Sequence, residues 1–499
     1  MKPIFQSIGS VLALAMSVST METHAQSPGS LDLRFQPSAF SVLKEYEGGG
    51  AIRIVGLRSD ERVIIEGLFS HADGKPRGGI AQLNADGTLD PGFNPAISIL
   101  STTRLSVKGV RPPMTALTAT EGLFVTALWN PTDWSESDVV QLMPDGSLAD
   151  FRVRSPLIWS ASSFWERIIF AQSDGRLLVG APVAYGKTHG LYDVSRFDGQ
   201  GYLDFSFNLR LQWELCCADI ASVYALMEIA AQPDGKLLIY GPNIRAINGV
   251  TWNNLARINA DGSLDTSFRL PAGWQAPGEF LSRYAFHVLP DGKVLAGGLR
   301  NTQRAYYPLV RLHSDGSIDR AFKAGSSLGK VDAMAVQPDG RIVVATGESG
   351  DDGSPHSSRR ILRLHPDGSK DTQFGQATAT TGSPGFEVIN SIALQPDGKI
   401  LVAGSFTSIN GIRRPGIARL HGDPPPAFAF ASVTREPSGS VRFIIPTRPG
   451  GPYILDGSTD LQSWLPIRTN SATDLTLEFK DANAVNFTQR FYRARLVNP

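Results

Sequence analysis

Three histidines, His313, His365 and His421, stand at the same place in successive stretches of the chain, each just after an arginine–leucine pair. Imidazoles suit zinc, but zinc needs its ligands about 2.0–2.1 Å from a single ion. Equivalent places in a repeat lie far apart except near a common axis, and Asn84 and Asn259 take the same place elsewhere. The pattern therefore reads as turn capping. His71, His189, His287 and His356 show no ligand spacing. Charge is periodic as well: Arg257, Arg311, Arg363 and Arg419 recur on one expected strand, and Asp32, Asp90, Asp204, Asp265, Asp319 and Asp371 on the next. A catalytic residue is usually singular in a ring, so charges repeated in every unit read as ion pairs within a unit or as turn contacts.

The remaining reactive side chains are few. Cys216 and Cys217 are the only cysteines and are adjacent, in "LQWELCCADI". In an oxidising compartment they could close a strained vicinal disulfide, bond to another chain or stay thiols. The favoured reading is two thiols. Vicinal rings occur in some quinone-cofactor propeller dehydrogenases, but the tryptophan-bearing repeat of those enzymes is missing. "GESGDDGSPHSS" (347–358) concentrates Asp351 and Asp352 without the ligand spacing of an EF-hand, so it reads as a solvated hairpin loop. Trp129, Trp134, Trp165, Trp213, Trp252 and Trp274 fall in irregular stretches; clustered on one rim they would stack sugar rings, and scattered they are packing residues. No Ser-His-Asp, metal or phosphate-loop arrangement stands out, and neither a metal nor a cofactor is expected.

What positions these residues is an internal repeat, the feature to seek first in a long chain rich in glycine. "QPDGKLLIYG" (232–241), "LPDGKVLAGG" (289–298), "QPDGRIVVAT" (337–346) and "QPDGKILVAG" (395–404) are clear copies of one opening, and "QSDGRLLVGA" (172–181) is a fifth. "RSDERVIIEG" (58–67) and "ATEGLFVTAL" (119–128) keep its apolar alternation. Asp-Gly is a hairpin signal with a mechanism, since aspartate bonds the local backbone and glycine supplies positive φ. Six openings run on to a closing phenylalanine: Phe93, Phe151, Phe207, Phe268, Phe322 and Phe374. The seventh ending, "GSLDLRF" to Phe35, precedes every opening. A ring whose last unit is completed by the first strand accounts for this permutation; an open solenoid has no use for it. Four strands per unit in a ring describe a β-propeller, and Asp174 to Asp397 spans four periods of about 56 residues.

The string "QPDGKILVAGSFTSINGIRRPGIARL", followed elsewhere by "NADGSLDTSF", resembles the delta-60 repeat family of bacterial exported proteins over roughly residues 26–423. The resemblance implies a propeller-like repeat domain and brings no catalytic residues with it. The expected fold is thus all-β: a seven-bladed β-propeller over 26–423, closed by the N-terminal strand, a proline linker at 424–427 and a small β-sandwich over 428–499. "YILDGSTDLQSWLPI" with "RFYRARL" is similar to fibronectin-like or immunoglobulin-like C-terminal modules, with Trp464 expected in the core. Residues 1–25 read as an export signal, with Lys2 before an apolar run and small residues before Gln26.

Lysine plus arginine and aspartate plus glutamate balance at 47 each, so no global field favours nucleic acid. No stretch after the leader approaches the ~20 apolar residues of a spanning helix. The expected role is an exported, non-enzymatic scaffold, periplasmic, surface-bound or extracellular, whose partner is an unknown protein or polysaccharide. The alternatives are a carbohydrate-active hydrolase or lyase, marked by paired carboxylates on one rim, and a structural surface or adhesion component.

Overall fold

The computed structural model describes residues 27–42, 52–95, 97, 115–118, 122–128, 137–153, 168–185, 189–214, 228–241, 244–252, 254–274, 285–301, 305–347, 358–380, 389–423, 430–447, 452–460, 463–472, 476–487 and 489–496. The expected export signal at 1–25, Cys216 and Cys217, positions 348–357 with Asp351, Asp352 and His356, Trp129, Trp134, Trp165 and the run Pro424 to Pro426 lie outside the described residues. What is described is all-β, in antiparallel sheets. No helix among the described residues is long and apolar enough to cross a membrane.

Each repeated opening folds as an antiparallel pair around its expected turn. In the last unit Ile389–Leu394 pairs with Ile400–Gly404, which pairs with Ile417–Leu420. The turn forms because Asp397 accepts a hydrogen bond from the Lys399 N–H (3.0 Å) while Gly398 takes φ 87°, a conformation that disfavours any residue with a Cβ. The same three-strand order recurs in the sheets of 52–83, 228–258 and 286–312. The worn openings at 58–67 and 119–128 fold likewise, as Ile52–Leu57 with Val63–Gly67 and Thr115–Leu117 with Leu123–Leu128. Apolar alternation therefore specifies the pair even where the Asp-Gly turn has eroded.

The expected fourth strand is shorter than the sequence suggests. It is a bulged strand at Leu148–Arg152, but elsewhere a single pair bridges to the third strand within the motif: Leu83 with Leu89, Phe197 with Leu203, Ile258 with Leu264, Leu312 with Ile318 and Leu364 with Lys370; in two units pairing with the third strand resumes beyond it, at Leu209–Glu214 and Ala377–Thr380. The recurring aspartate interrupts the ladder. Asp265 accepts from the Ser267 N–H (2.9 Å), and its carbonyl accepts from Phe268 N–H (3.4 Å). This local turn competes with the sheet. In "GSLADF" alanine (Ala149) takes the aspartate's place and the ladder continues.

The N-terminal segment occupies this fourth place in the last unit. Leu31 bridges Leu420, Gly29 N–H donates to His421 O (2.7 Å) and Asp32 N–H to Arg419 O (2.8 Å). The intact turns make the first bond covalently in sequence, Gly316 to His313 and Gly368 to His365 (both 2.9 Å). Ile52 and Ile54 of the first sheet share a core with Leu401, Ala403 and Ile417 of the last, and Phe35 is fully buried there.

A feature without sequence foresight is the small hairpin leaving three units at Asp73-Gly74, Asn248-Gly249 and Asn410-Gly411. The first residue of each pair takes positive φ, and its side chain accepts a backbone N–H from the preceding segment: Ala39 (2.7 Å), Arg210 (2.7 Å) and Thr378 (2.8 Å). Strands Phe40–Val42, Leu209–Glu214 and Ala377–Thr380 thereby pair with the hairpin of the unit that follows.

Beyond residue 429 two three-stranded sheets, one of Ser432–Arg435, Val441–Pro446 and Thr476–Asp481, the other of Leu465–Ser471, Pro452–Ser458 and Phe491–Leu496, share a core of Phe443, Tyr453, Leu455, Phe479 and Tyr492. Trp464 is not in that core, contrary to expectation. It is half-buried, with the Arg493 guanidinium 4.5 Å from its ring, because it immediately precedes the exposed edge strand Leu465–Ser471.

Candidate functional site

The repeated charges meet as the sequence suggests. Arg257 Nε lies 2.8 Å from Asp265, Arg311 from Asp319 at 2.8 Å, Arg363 from Asp371 at 2.7 Å and Arg419 from Asp32 at 2.9 Å. Eight residues separate each pair but the last, whose partner comes from the N-terminal segment. Arg196 with Asp204 (2.8 Å) is a fifth case, hidden in the sequence because Phe197 stands where the recognised copies have leucine or isoleucine. At Asp90 the arginine is replaced by Gln82 (2.6 Å), and Arg62 supplies the guanidinium (2.8 Å).

Each arginine does more than pair. Its guanidinium lies over the closing phenylalanine, 4.7–5.2 Å from the rings of Phe207, Phe268, Phe322, Phe374 and Phe35. Its far nitrogen reaches the next unit, donating to the carbonyl just before that unit's second Asp-Gly: Arg196 to Ala260 (2.5 Å), Arg257 to Ser314, Arg311 to Pro366 (2.7 Å) and Arg419 to Ala85 (2.5 Å). Arg363 instead takes Asp423 in a two-bond fork (2.8 and 2.9 Å). A planar, permanently charged fork suits this three-way role as lysine would not. Spacing reveals the pair but not the link between units, because a carbonyl acceptor leaves no trace in sequence.

These contacts fix the carboxylates' ionisation. Serine and backbone bonds at Ser206, with Arg196, bring Asp204 down to about 2 against the opposing effect of burial. Burial works to raise Asp32, but the Arg34 N–H and the Arg419 charge outweigh it and hold Asp32 below the usual range. Asp265, Asp319 and Asp371 are lowered in the same way. Unfolded aspartates titrate near 3.9. Depressed folded values give stability that is complete above that pH and lost as pH falls through the folded values. The expected urea midpoint is therefore level from pH 7 to about 5 and falls steeply below about 4. A midpoint unchanged down to pH 3 would contradict this assignment.

The repeated histidines stand beside the second turn. His313, His365 and His421 bracket the second turn through backbone bonds with Ser317, Ser369 and Ser30 (2.8 Å each), while Asn84 and Asn259 cap theirs with side-chain bonds to Thr88 (3.0 Å) and Ser263 (2.9 Å). His71 meets Ser70 (2.9 Å), and burial holds His287 below the ordinary imidazole value. Of the tryptophans, Trp213 and Trp252 are buried and Trp274 packs on Tyr307 at 4.5 Å. Among the described residues no group of three or more His, Cys, Asp or Glu could hold a metal.

Both Asp-Gly turns of a unit lie at one end of its strands, as alternating antiparallel strands require. Three charges that do not repeat lie at the other end. Arg53, at the start of Ile52–Leu57, pairs with Glu66 (2.5 Å), which also accepts from Thr115 Oγ1 (2.5 Å). Asp332, at the start of Val331–Val336, is held by Arg359 (2.7 Å) and Lys330 (3.4 Å). Asn390 at the same register in the last unit donates to Ile52 O (3.3 Å).

Five segments, 58–93, 232–268, 289–322, 337–374 and 395–423, match the family described as "Domain of unknown function (DUF5122) beta-propeller". No curated protein matches the chain. Among solved structures the chain is similar to a "Glycoside hydrolase" (13% identity, 66% of this chain and 94% of that one, TM-score 0.24). It is also similar to a "glucose dehydrogenase" (13% identity, 63% and 96%, TM-score 0.32), and to a glycoside hydrolase family 32 structure from Bifidobacterium adolescentis (10% identity, 81% and 75%, TM-score 0.20). Likeness at these TM-scores carries no argument about activity. With its matched repeats folded as antiparallel sheets joined by recurrent arginine links, the chain is a β-propeller repeat protein.

Proposed function

We propose that the chain is an exported, non-enzymatic scaffold of the delta-60 type. In this reading seven blades form a ring whose last blade is finished by residues 29–35, and a β-sandwich module follows the proline linker at 424–427. Its ligand, a protein or polysaccharide, binds at the end of the ring opposite the Asp-Gly turns. The observation that carries the reading is the division of polar groups between the two ends. At the turn end the recurring arginines and aspartates are committed to bonds within and between units, whereas the non-repeating Arg53, Glu66 and Asp332 lie at the other end. Repetition serves the scaffold, and recognition needs departures from it. The leader at 1–25 supports export.

The test is a thermal-shift titration of the full chain with xylan, pectin, alginate and starch, alongside an assay for released reducing ends. A ligand at a hundred times its Kd adds about 2.7 kcal/mol. The expected result is a raised midpoint with at least one polymer and no release of reducing ends. Release would overturn the non-enzymatic reading, and no shift with any polymer would remove polysaccharide as the ligand.

A further inference from the structure

We infer that the groove filled by residues 27–42 is a strand-acceptor site that also takes the same segment from a second copy of the chain, so that copies associate by exchanging their first strand. The segment belongs to neither of the strands it joins. Its bonds reach three units: Pro28 O accepts from Gly375 N–H (2.7 Å), Gly29 N–H donates to His421 O (2.7 Å), and Gln36 N–H donates to Asp86 O (2.7 Å). Further on, Phe40–Val42 pairs with Phe69–Ala72. In the intact units the equivalent turn is continuous chain. Here it is divided between His421 and Ser30, so this one fourth segment can leave without breaking a covalent bond of its turn.

The groove is selective. Gly29 takes φ 87°, and a Cβ there would stand 2.0 Å from Gly375 O, so glycine is obligatory. Leu31 and Phe35 are buried, and Asp32 meets Arg419 Nη2 at 2.8 Å. The site therefore reads Gly-x-Leu-Asp-x-x-Phe. The sequence carries copies at 87–93, 201–207 and 262–268, and one with isoleucine at 316–322, but those are held within their own continuous turns. The segment at 29–35 is the copy whose partner strand is remote in sequence.

Exchange preserves every one of these contacts, so the closed and exchanged forms differ chiefly in the effective concentration of the tethered strand. Positions 43–51 join the segment to Ile52–Leu57, and a join of so few residues sets an effective concentration of the order of mM. Monomer should dominate at μM concentrations, and exchanged dimer should accumulate toward mM, the usual low-cost route to a swapped assembly.

The bonds from Asp32 N–H to Arg419 O and from His421 N–H to Ser30 O flank Leu31 and Leu420. That makes them a non-hydrogen-bonded antiparallel pair, with Cα atoms about 4.5 Å apart, within the span of a disulfide. Two full-length variants, Leu31→Cys and Leu420→Cys, each also carrying Cys216→Ser and Cys217→Ser, are mixed, cycled through mild denaturant and oxidised. The Leu31→Cys/Leu420→Cys double variant is the control for closure within one chain. The expected result is a covalent heterodimer at least about tenfold more abundant near 1 mM than near 10 μM. A control that oxidises within the monomer while the mixture gives no heterodimer near 1 mM would overturn the inference. So would a purely monomeric sedimentation boundary for the unaltered chain refolded at that concentration, whatever the cysteines do.

Discussion

Phe35→Ala in the full chain is expected to lower stability by about 3–5 kcal/mol, the usual cost of emptying a buried phenylalanine site. Phe35 is distant in sequence from Leu401, Ala403 and Ile417 of the last unit, with which it shares a core, yet it is as buried as Phe93 and Phe268. It also carries the Arg419 guanidinium 4.9 Å from its ring. For a unit of roughly 400 residues with an unfolding entropy of about 2.1 cal/mol/K per residue, such a loss lowers the thermal midpoint by about 5 °C. Phe268→Ala, inside an uninterrupted unit, is the comparison. Equal shifts show that the N-terminal segment is as integral as a continuous fourth strand, whereas a shift below about 1 °C for Phe35→Ala alone would show that the last unit is stable without it.

The second large effect is expected at Arg363. Its guanidinium is almost wholly buried and holds Asp371 on one side and Asp423 in a fork on the other, with the Gln337 side chain at 3.3 Å. Arg341 also reaches Asp423 at 2.5 Å. Arg363→Ala leaves Asp371 without its nearest counter-charge in a buried setting, a loss of about 3–5 kcal/mol. Arg363→Lys should recover little, since one ammonium cannot reproduce the fork. The readout is the urea midpoint at pH 7. Full rescue by lysine would mean that charge alone, without fork geometry, holds the unit.

Much of this was legible in the sequence, because repetition is itself a measurement of structure. Asp397-Gly398 and its copies predict hairpins that fold as expected, and the displaced "GSLDLRF" predicts the pairing of Leu31 with Leu420. The Arg–Asp periodicity predicts the ion pairs. What was hidden depends on groups without a sequence signature. Arg257 reaches a backbone carbonyl in the next unit, and any residue at Ser314 would offer one. Asp265 both pairs with arginine and ends its own strand, and only the geometry separates those roles. Asn248 and Asn410 look like ordinary turn residues, although their side chains fasten the preceding unit. Trp464 was misplaced because a large aromatic beside a strand suits a core and a stacked edge equally well, and the Arg493 stack decides the matter. The loop-end charges at Arg53, Glu66 and Asp332 went unnoticed for the opposite reason, since they do not repeat.

The central claim is that residues 29–35 complete the last unit as a native fourth segment. Amide hydrogen exchange of the full chain tests it most directly, by comparing the stretch 29–35 with its continuous counterpart 316–322. The bonds of Gly29 and Asp32 match those of Gly316 and Asp319 in kind and length. The two stretches are therefore expected to show protection within about tenfold of each other, a difference below about 1.4 kcal/mol. Exchange of 29–35 at the rate of an unprotected chain, with 316–322 protected, would contradict the account.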